Sequence, residues 1–131
     1  MAKYTFPAIF MPEDEGGYSI SFPDIEGCYT SAETLVEGME NANDALTLML
    51  YDMEETNTAI PEASDIRDIK TNGKEFTTLI CCDTLEYRKL FNSKAVKKTL
   101  SIPAWLNTLA ERADINFSAV LQKALKAELN I

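Results

Sequence analysis

The sequence predicts an α+β fold in two parts: a β-β-β-α-β-α domain over residues 1–92, then a strand–helix–helix module over residues 93–131. Three observations predict it. Apolar residues alternate along residues 3–11 and 18–22, as the faces of half-buried strands do. From Leu35 to Met53 they recur instead at 4-3-4-3-4 spacing, the period of an amphipathic helix. Charge changes sign near residue 93: residues 1–93 hold 6 Lys/Arg against 18 Asp/Glu (−12), and residues 94–131 hold 6 against 3 (+3), which together give the −9 of the whole chain. An acidic body carrying a basic tail module is the charge pattern of a chain with two kinds of partner.

Within Lys3–Met11, the residues Tyr4, Phe6, Ala8 and Phe10 share one face. Pro7 has no N–H to give to a ladder, which places this strand at a sheet edge there. Glu13–Gly17 is a turn whose glycines supply unusual backbone angles, and Tyr18–Phe22 completes a hairpin. Pro23–Gly27 makes a second turn, and Cys28–Thr30 opens a third strand. Thr34 and Glu37 have the spacing of a capping box. They start a helix that ends near Glu54–Asn57, with Leu35, Met39, Ala42, Leu46, Met49 and Met53 as its apolar stripe. Residues 57–75, with Pro61, Asn72 and Gly73, read as a loop. Phe76–Cys82 is a β-favouring run suited to a buried strand. Asp83 caps a short helix over Thr84–Phe91, and Asn92-Ser93-Lys94 forms a hinge. This order suits helices packed on one antiparallel or mixed sheet.

The C-terminal module opens with a strand over Lys94–Ile102, with Val96, Lys98, Leu100 and Ile102 on one face and Lys97, Thr99 and Ser101 on the other. Pro103 suits the first position of a helix, where its missing donor costs nothing. Trp105, Leu106, Leu109, Ala110 and Ala113 form the stripe of that helix. Asp114-Ile115-Asn116 interrupts it, Asn116 caps the next helix, and Phe117, Val120, Leu121, Ala124 and Leu125 form the second stripe. A unit this small cannot bury its own apolar surface. A twofold dimer with paired strands solves that, with Leu100, Ile102, Trp105, Leu109, Val120 and Leu121 in the shared core. The paired strands then display two copies of Lys97, Thr99 and Ser101, and a two-stranded ribbon fits the DNA major groove. First-turn N–H groups near Asn116 and Ser118 suit a phosphate. An edge strand with a wet face would show the same three residues. The complete strand–Pro–helix–turn–helix order and the charge switch favour DNA.

Composition narrows the chemistry. With no histidine, no Ser–His, Cys–His or imidazole acid–base pair can form within the chain. The cysteines Cys28, Cys81 and Cys82 are odd in number, and two are adjacent. They suit small hydrophobes in a reducing cytoplasm, and they leave too few soft ligands for a common zinc site. No apolar run of about 18 residues offers a membrane span, and the N-terminal stretch has no apolar signal-peptide core. The acids Asp24, Glu26, Glu33 and Asp83 have no spacing that demands a metal: the first two sit in a turn and the last caps a helix. The expectation is a cytoplasmic, non-enzymatic protein with no catalytic residue, metal or cofactor and no membrane association.

The whole chain resembles the HicB antitoxin family. The matching text is Phe6-Pro7-Ala8-Ile9-Phe10, Gly16-Gly17-Tyr18, and Ser21-Phe22-Pro23-Asp24-Ile25-Glu26-Gly27-Cys28. It continues with a helix opening at Thr34-Leu35 and containing Glu40-Asn41-Ala42 and Asp44-Ala45-Leu46. Residues 94–130 look like the ribbon–helix–helix ending found in part of that family. The resemblance implies a truncated ribonuclease-H-like domain that covers a small basic RNA-cleaving toxin, HicA. It also implies a C-terminal module that binds the operon's own promoter, as a homodimer or higher oligomer. By the same resemblance, Lys97, Thr99 and Ser101 occupy the groove-facing positions. The sequence departs at the turn between the last two helices, where related modules often have Gly and then Ser and this chain has Asp114 and Asn116. Two other readings stay open: a DNA-binding regulator without a toxin, and a degenerate ribonuclease-H-like nuclease.

Overall fold

The structure is a computed structural model and describes residues 2–131. The chain divides into two compact units, Met1–Lys94 and Ala95–Ile131.

In the first unit, β1 (Lys3–Pro12), β2 (Tyr18–Ser21), β3 (Tyr29–Ala32) and β4 (Phe76–Asp83) form one antiparallel sheet in the order β3-β2-β1-β4. The helix α1 (Leu35–Glu55) packs on one face of it, and α2 (Thr84–Phe91) follows β4 directly. Phe6, Ala8 and Phe10 of β1 are buried beneath α1 with Ile20 and Ile80. The register pairs Phe10 with Ile20 on one side and Phe6 with Ile80 on the other. Phe22, Ile25 and Cys28 close one end of this core, because the turn folds back on itself through Ile25 N–H to the Phe22 carbonyl and Cys28 N–H to the Ile25 carbonyl, both 3.2 Å.

Three expectations change in the structure. The strand β1 is interior in the strand order and pairs with β4 along Lys3–Phe10, so the edge expected at Pro7 is confined to one flank there. Pro7 is tolerated because β2 covers β1 only from Ile9 to Pro12, so at Pro7 one flank carries no ladder. The strand β4 is half-buried: Ile80 and Cys82 lie in the core, whereas Leu79 and Cys81 are exposed, as an edge strand with one helix-covered face requires. On α1 the buried residues are Gly38, Ala42, Leu46, Thr47 and Leu50, while Leu35 and Met39 are exposed. The buried line Gly38, Ala42, Leu46 and Leu50 follows i, i+4 steps, and at Gly38 the helix lies close against the sheet. A Cβ there would stand 3.1 Å from the Phe10 ring and 3.4 Å from Ile20.

The cap at Thr34 forms as expected, its hydroxyl accepting from the Glu37 N–H at 3.1 Å. Two asparagines of α1 also reach the sheet's edges. Asn41 donates to the Ser31 carbonyl of β3 at 2.9 Å, and Asn43 donates to the Cys81 carbonyl of β4. Edge strands left bare invite pairing with other chains, and an occupied carbonyl interrupts the row an incoming strand needs.

At the far end of α1, Glu54 gathers the helix, β1 and α2. Its carboxylate accepts from Tyr4 Oη at 2.8 Å, Thr84 Oγ1 at 2.9 Å and Arg88 Nη2 at 3.1 Å. Thr84 Oγ1 accepts in turn from the Ala2 N–H at 3.1 Å. Burial alone would raise this carboxyl; the hydrogen bonds from Tyr4, Thr84 and Arg88 help to outweigh it and hold it at about 2. Burial, then the hydrogen bond to Glu54, push the Tyr4 phenol up to about 12.

Two stability predictions follow from this geometry. At the β1–β2 turn, Gly17 has φ +82° and a Cβ would fall 2.6 Å from the Ala32 carbonyl oxygen, whereas Gly16, at φ +97°, has open space. Gly17→Ala should cost on the order of 3 kcal/mol and Gly16→Ala about 1, read from urea unfolding; equal costs would contradict the contact. Glu54, with its folded pKa below its ordinary 4.5, contributes stability above pH 4.5 that is lost as pH falls towards 2, on the order of 3 kcal/mol. Glu54→Gln should lower the urea midpoint at pH 7 and flatten its acid limb over that window, and an unchanged limb would refute the assignment.

Candidate functional site

The second unit holds α3 (Ala104–Arg112) and α4 (Phe117–Leu129). The sequence predicts a strand over Lys94–Ile102, but this segment has no regular secondary structure in the single chain. The physical reason is that a strand exists only against a neighbour: among the described residues, none of the backbone N–H groups from Ser93 to Ile102 donates to another backbone group. Lys97, Thr99 and Ser101 are exposed along this segment.

No residue from Ala95 to Ile131 is buried. Of the residues expected to form a shared core, Leu100, Ile102, Trp105, Leu109 and Val120 are exposed, Trp105 at 66%, and Leu121 is half-buried. Each such side chain withdrawn from water stabilises by roughly 1.5–3 kcal/mol. Helices this short do not persist in water without tertiary packing, so the unit carries a large unmet demand for apolar cover.

The turn between α3 and α4 explains the departure at Asp114. This residue has φ +57°, the left-handed conformation usually given to glycine at a helix end. Its N–H bonds the Glu111 carbonyl at 3.0 Å, and the Ile115 N–H bonds the Ala110 carbonyl at 3.1 Å. That is a Schellman closure with Asp in the glycine position. Asn116 then caps α4, its Oδ1 accepting from the Ala119 N–H at 3.0 Å. One of the expected phosphate-facing donors is therefore taken internally. Ser118 lies exposed in the first turn, where its N–H and that of Phe117 are the remaining orphan donors.

In the first unit, the acids weighed as metal ligands are dispersed. Asp24 accepts from the Ser64 N–H at 2.9 Å and Ser64 Oγ at 2.5 Å, tying the turn to a segment 40 residues away. Asp83 caps α2 through the N–H groups of Leu85 and Glu86. Glu26 and Glu33 are exposed, and Glu13 accepts from Ser19 across the hairpin tip. Among the described residues, no three His, Cys, Asp or Glu side chains are grouped to hold a metal ion, and no helix is long and apolar enough to cross a membrane.

A groove that the periodicity did not reveal runs between α1 and α2 over the end of β4, with Leu48, Tyr87, Leu90 and Phe91 on its walls. Its signal in the sequence was apolar residues lying off the main α1 stripe, namely Leu48 and, beside it, Tyr51.

Comparison with known proteins sets these features in a family. Residues 6–125 match the family of the HicB-like antitoxin of bacterial toxin–antitoxin systems. Antitoxin HicB of Escherichia coli strain K12 is 41% identical over 61 residues, which are 47% of this chain and 44% of that protein, so the chain aligns to less than half of that relative's length. A toxin–antitoxin complex from Streptococcus pneumoniae contains a similar chain, with 26% identity, a TM-score of 0.62, and coverage of 96% of this chain and 99% of that one. A HicA3–HicB3 toxin–antitoxin complex shares the fold at 19% identity and a TM-score of 0.52, over 61% of this chain and 99% of that one. With residues 6–125 matched and an α+β architecture of a four-stranded antiparallel sheet and four helices in common with solved members, the chain belongs to the HicB-like antitoxin family.

Proposed function

We propose that this chain is the antitoxin of a type II pair, which neutralises a small basic HicA-like RNA-cleaving toxin with residues 1–92 and represses its own operon through residues 93–131. In this reading the N-terminal unit is a truncated ribonuclease-H-like domain used for binding, and the C-terminal unit is a ribbon–helix–helix dimer acting on operator DNA in the cytoplasm. The observation that carries the DNA half is a strand-length segment with free backbone donors, joined to two helices with no buried residue. A second copy supplies what is missing on both counts: antiparallel pairing of residues 94–102 uses the donors, and the four helices cover one face of the ribbon.

The other ribbon face then carries two sets of Lys97, Thr99 and Ser101. Lysine suits guanine acceptors or a phosphate, and the hydroxyls suit base edges or phosphates. Ser118 and the first turn of α4 offer a backbone phosphate contact. The acidic body supplies the toxin half: residues 1–93, at −12, attract a cationic partner and compete with RNA for its surface.

The deciding experiment co-expresses the chain with the small basic toxin encoded beside it and measures co-purification, growth rescue and a gel shift with the operon's promoter. The full chain should sediment as a dimer or larger at micromolar concentration. The triple variant Lys97→Ala, Thr99→Ala, Ser101→Ala should stay dimeric, keep the toxin and lose specific promoter binding. A monomer with α3 and α4 still formed, or promoter binding by the triple variant equal to wild type, would overturn the ribbon assignment. Asp114→Gly should relieve the left-handed strain and remove a negative charge beside the proposed phosphate contact. Stability should rise by about 1 kcal/mol in thermal unfolding and promoter affinity should rise; unchanged promoter affinity would place this turn away from DNA.

A further inference from the structure

From the α1–α2 groove we infer that this is the surface that holds the cationic toxin, an inference that rests on the antitoxin reading above. The groove encloses about 840 Å3. Its floor is the end of β4 with Tyr4, and its walls are α1 and α2. Leu48 is 55% exposed, Leu90 75% and Phe91 70%, so three large apolar side chains meet water along one cleft. Isolated exposed leucines need no explanation, but a cluster framing a concave surface marks an interaction site.

The cleft is also rigid. Tyr51, Tyr87 and Phe91 form a run of ring contacts, with centroids 4.8 Å and then 4.6 Å apart. The Arg88 guanidinium lies 4.7 Å from the Tyr51 ring centroid and pairs with Glu54 at 3.1 Å and with Glu55. These contacts fix α2 against α1 before any partner arrives, so little ordering cost remains for binding. Aromatic side chains set in a preformed cleft are the usual anchors of a protein interface.

Charge selects the occupant. Asp44, Asp83 and Glu86 line the groove against one cation, Lys3. Asp83 is used by the α2 cap and Glu86 pairs with Lys89 at 3.0 Å, whereas among the described residues no hydrogen bond or ion pair engages the Asp44 side chain. A nucleic acid would meet carboxylates here. A second copy of the acidic body would set −12 against −12. A basic protein that inserts apolar side chains between the helices and places Lys or Arg against Asp44 satisfies both the cleft and its rim.

Cys81, a lining residue of the groove, provides a reporter at its margin. It is exposed, while Cys28 and Cys82 are buried and burial pushes both of their thiols up, Cys28 to about 11. N-ethylmaleimide should therefore label Cys81 first in the full chain, followed by mass spectrometry with and without the neighbouring toxin. Complex formation should slow Cys81 labelling at least tenfold. The double variant Leu48→Asp, Phe91→Ala changes two exposed side chains; it should weaken toxin binding at least tenfold and leave the promoter gel shift intact, the latter also showing that the variant folds. If the wild-type complex forms and Cys81 labels at the free rate, or if the double variant binds toxin as wild type does, the groove assignment is overturned and the antitoxin reading stands. If Cys81 labelling of the chain alone slows as its concentration rises, the occupant is a second copy and the assignment is likewise overturned. If the wild-type chain binds no toxin by any measure, the antitoxin reading falls and the assignment falls with it.

Discussion

Glu54 is the point at which the first unit is tied together. It sits on the last turn of α1 and takes hydrogen bonds from β1 through Tyr4 and from α2 through Thr84 and Arg88. Without it, α2, a helix of eight residues too short to be stable alone, would keep the Asp83 cap, the Thr84–Ala2 hydrogen bonds, the Arg88–Glu55 pair and its ring contacts. Removing the carboxylate would leave Tyr4 Oη without this acceptor and Arg88 with half of its charge pairing, and a buried polar group stripped of its partner costs more than the bond contributes net. The α1–α2 groove and its ring contacts are both set downstream of this one carboxylate.

The two units solve the problem of a small core in opposite ways. The first encloses twelve buried apolar residues under one long helix. The second, from Ala95 to Ile131, encloses none and carries its apolar stripes in the open. Its sequence is nevertheless well adapted locally: Asn116 caps α4, and the α3–α4 turn closes as a Schellman motif although it lacks glycine. Local consistency of this kind without a core is what the pairing with a second copy proposed above would require.

Most of the first unit was legible in the sequence because its signals are local. Alternation marked β1 and β2, Thr34 and Asp83 announced their helices, and glycine marked the hairpin. What escaped was set by long-range pairing. Pro7 marked one bare flank, but not that β4 returns to pair along the other, with Leu79, 72 residues on, opposite Pro7. The α1 stripe was drawn through Leu35 and Met39, yet both are exposed, and it is Gly38, a residue no hydrophobicity scale favours, that packs against Phe10 and Ile20. The Glu54 network and the groove join residues from three elements, so no window of sequence contains them. In the second unit, periodicity located both helices, but Lys94–Ile102 cannot be a strand in isolation, because the hydrogen bonds that define one need another chain or segment.

The asparagines at the rims of the sheet bear on how large an assembly can become. A four-stranded sheet open on both sides is a seed for unlimited growth, each added chain presenting the same rim as the last. Here Asn41 occupies a carbonyl on one rim and Asn43 occupies one on the other, so both directions of accretion meet a side chain that is already bonded. Under the ribbon proposed above, strand-wise pairing is confined to the segment ahead of α3, where a twofold axis would use up the free donors of both participants and leave nothing to add to. A surplus of such a chain would stop at a finite particle and not proceed to a fibre.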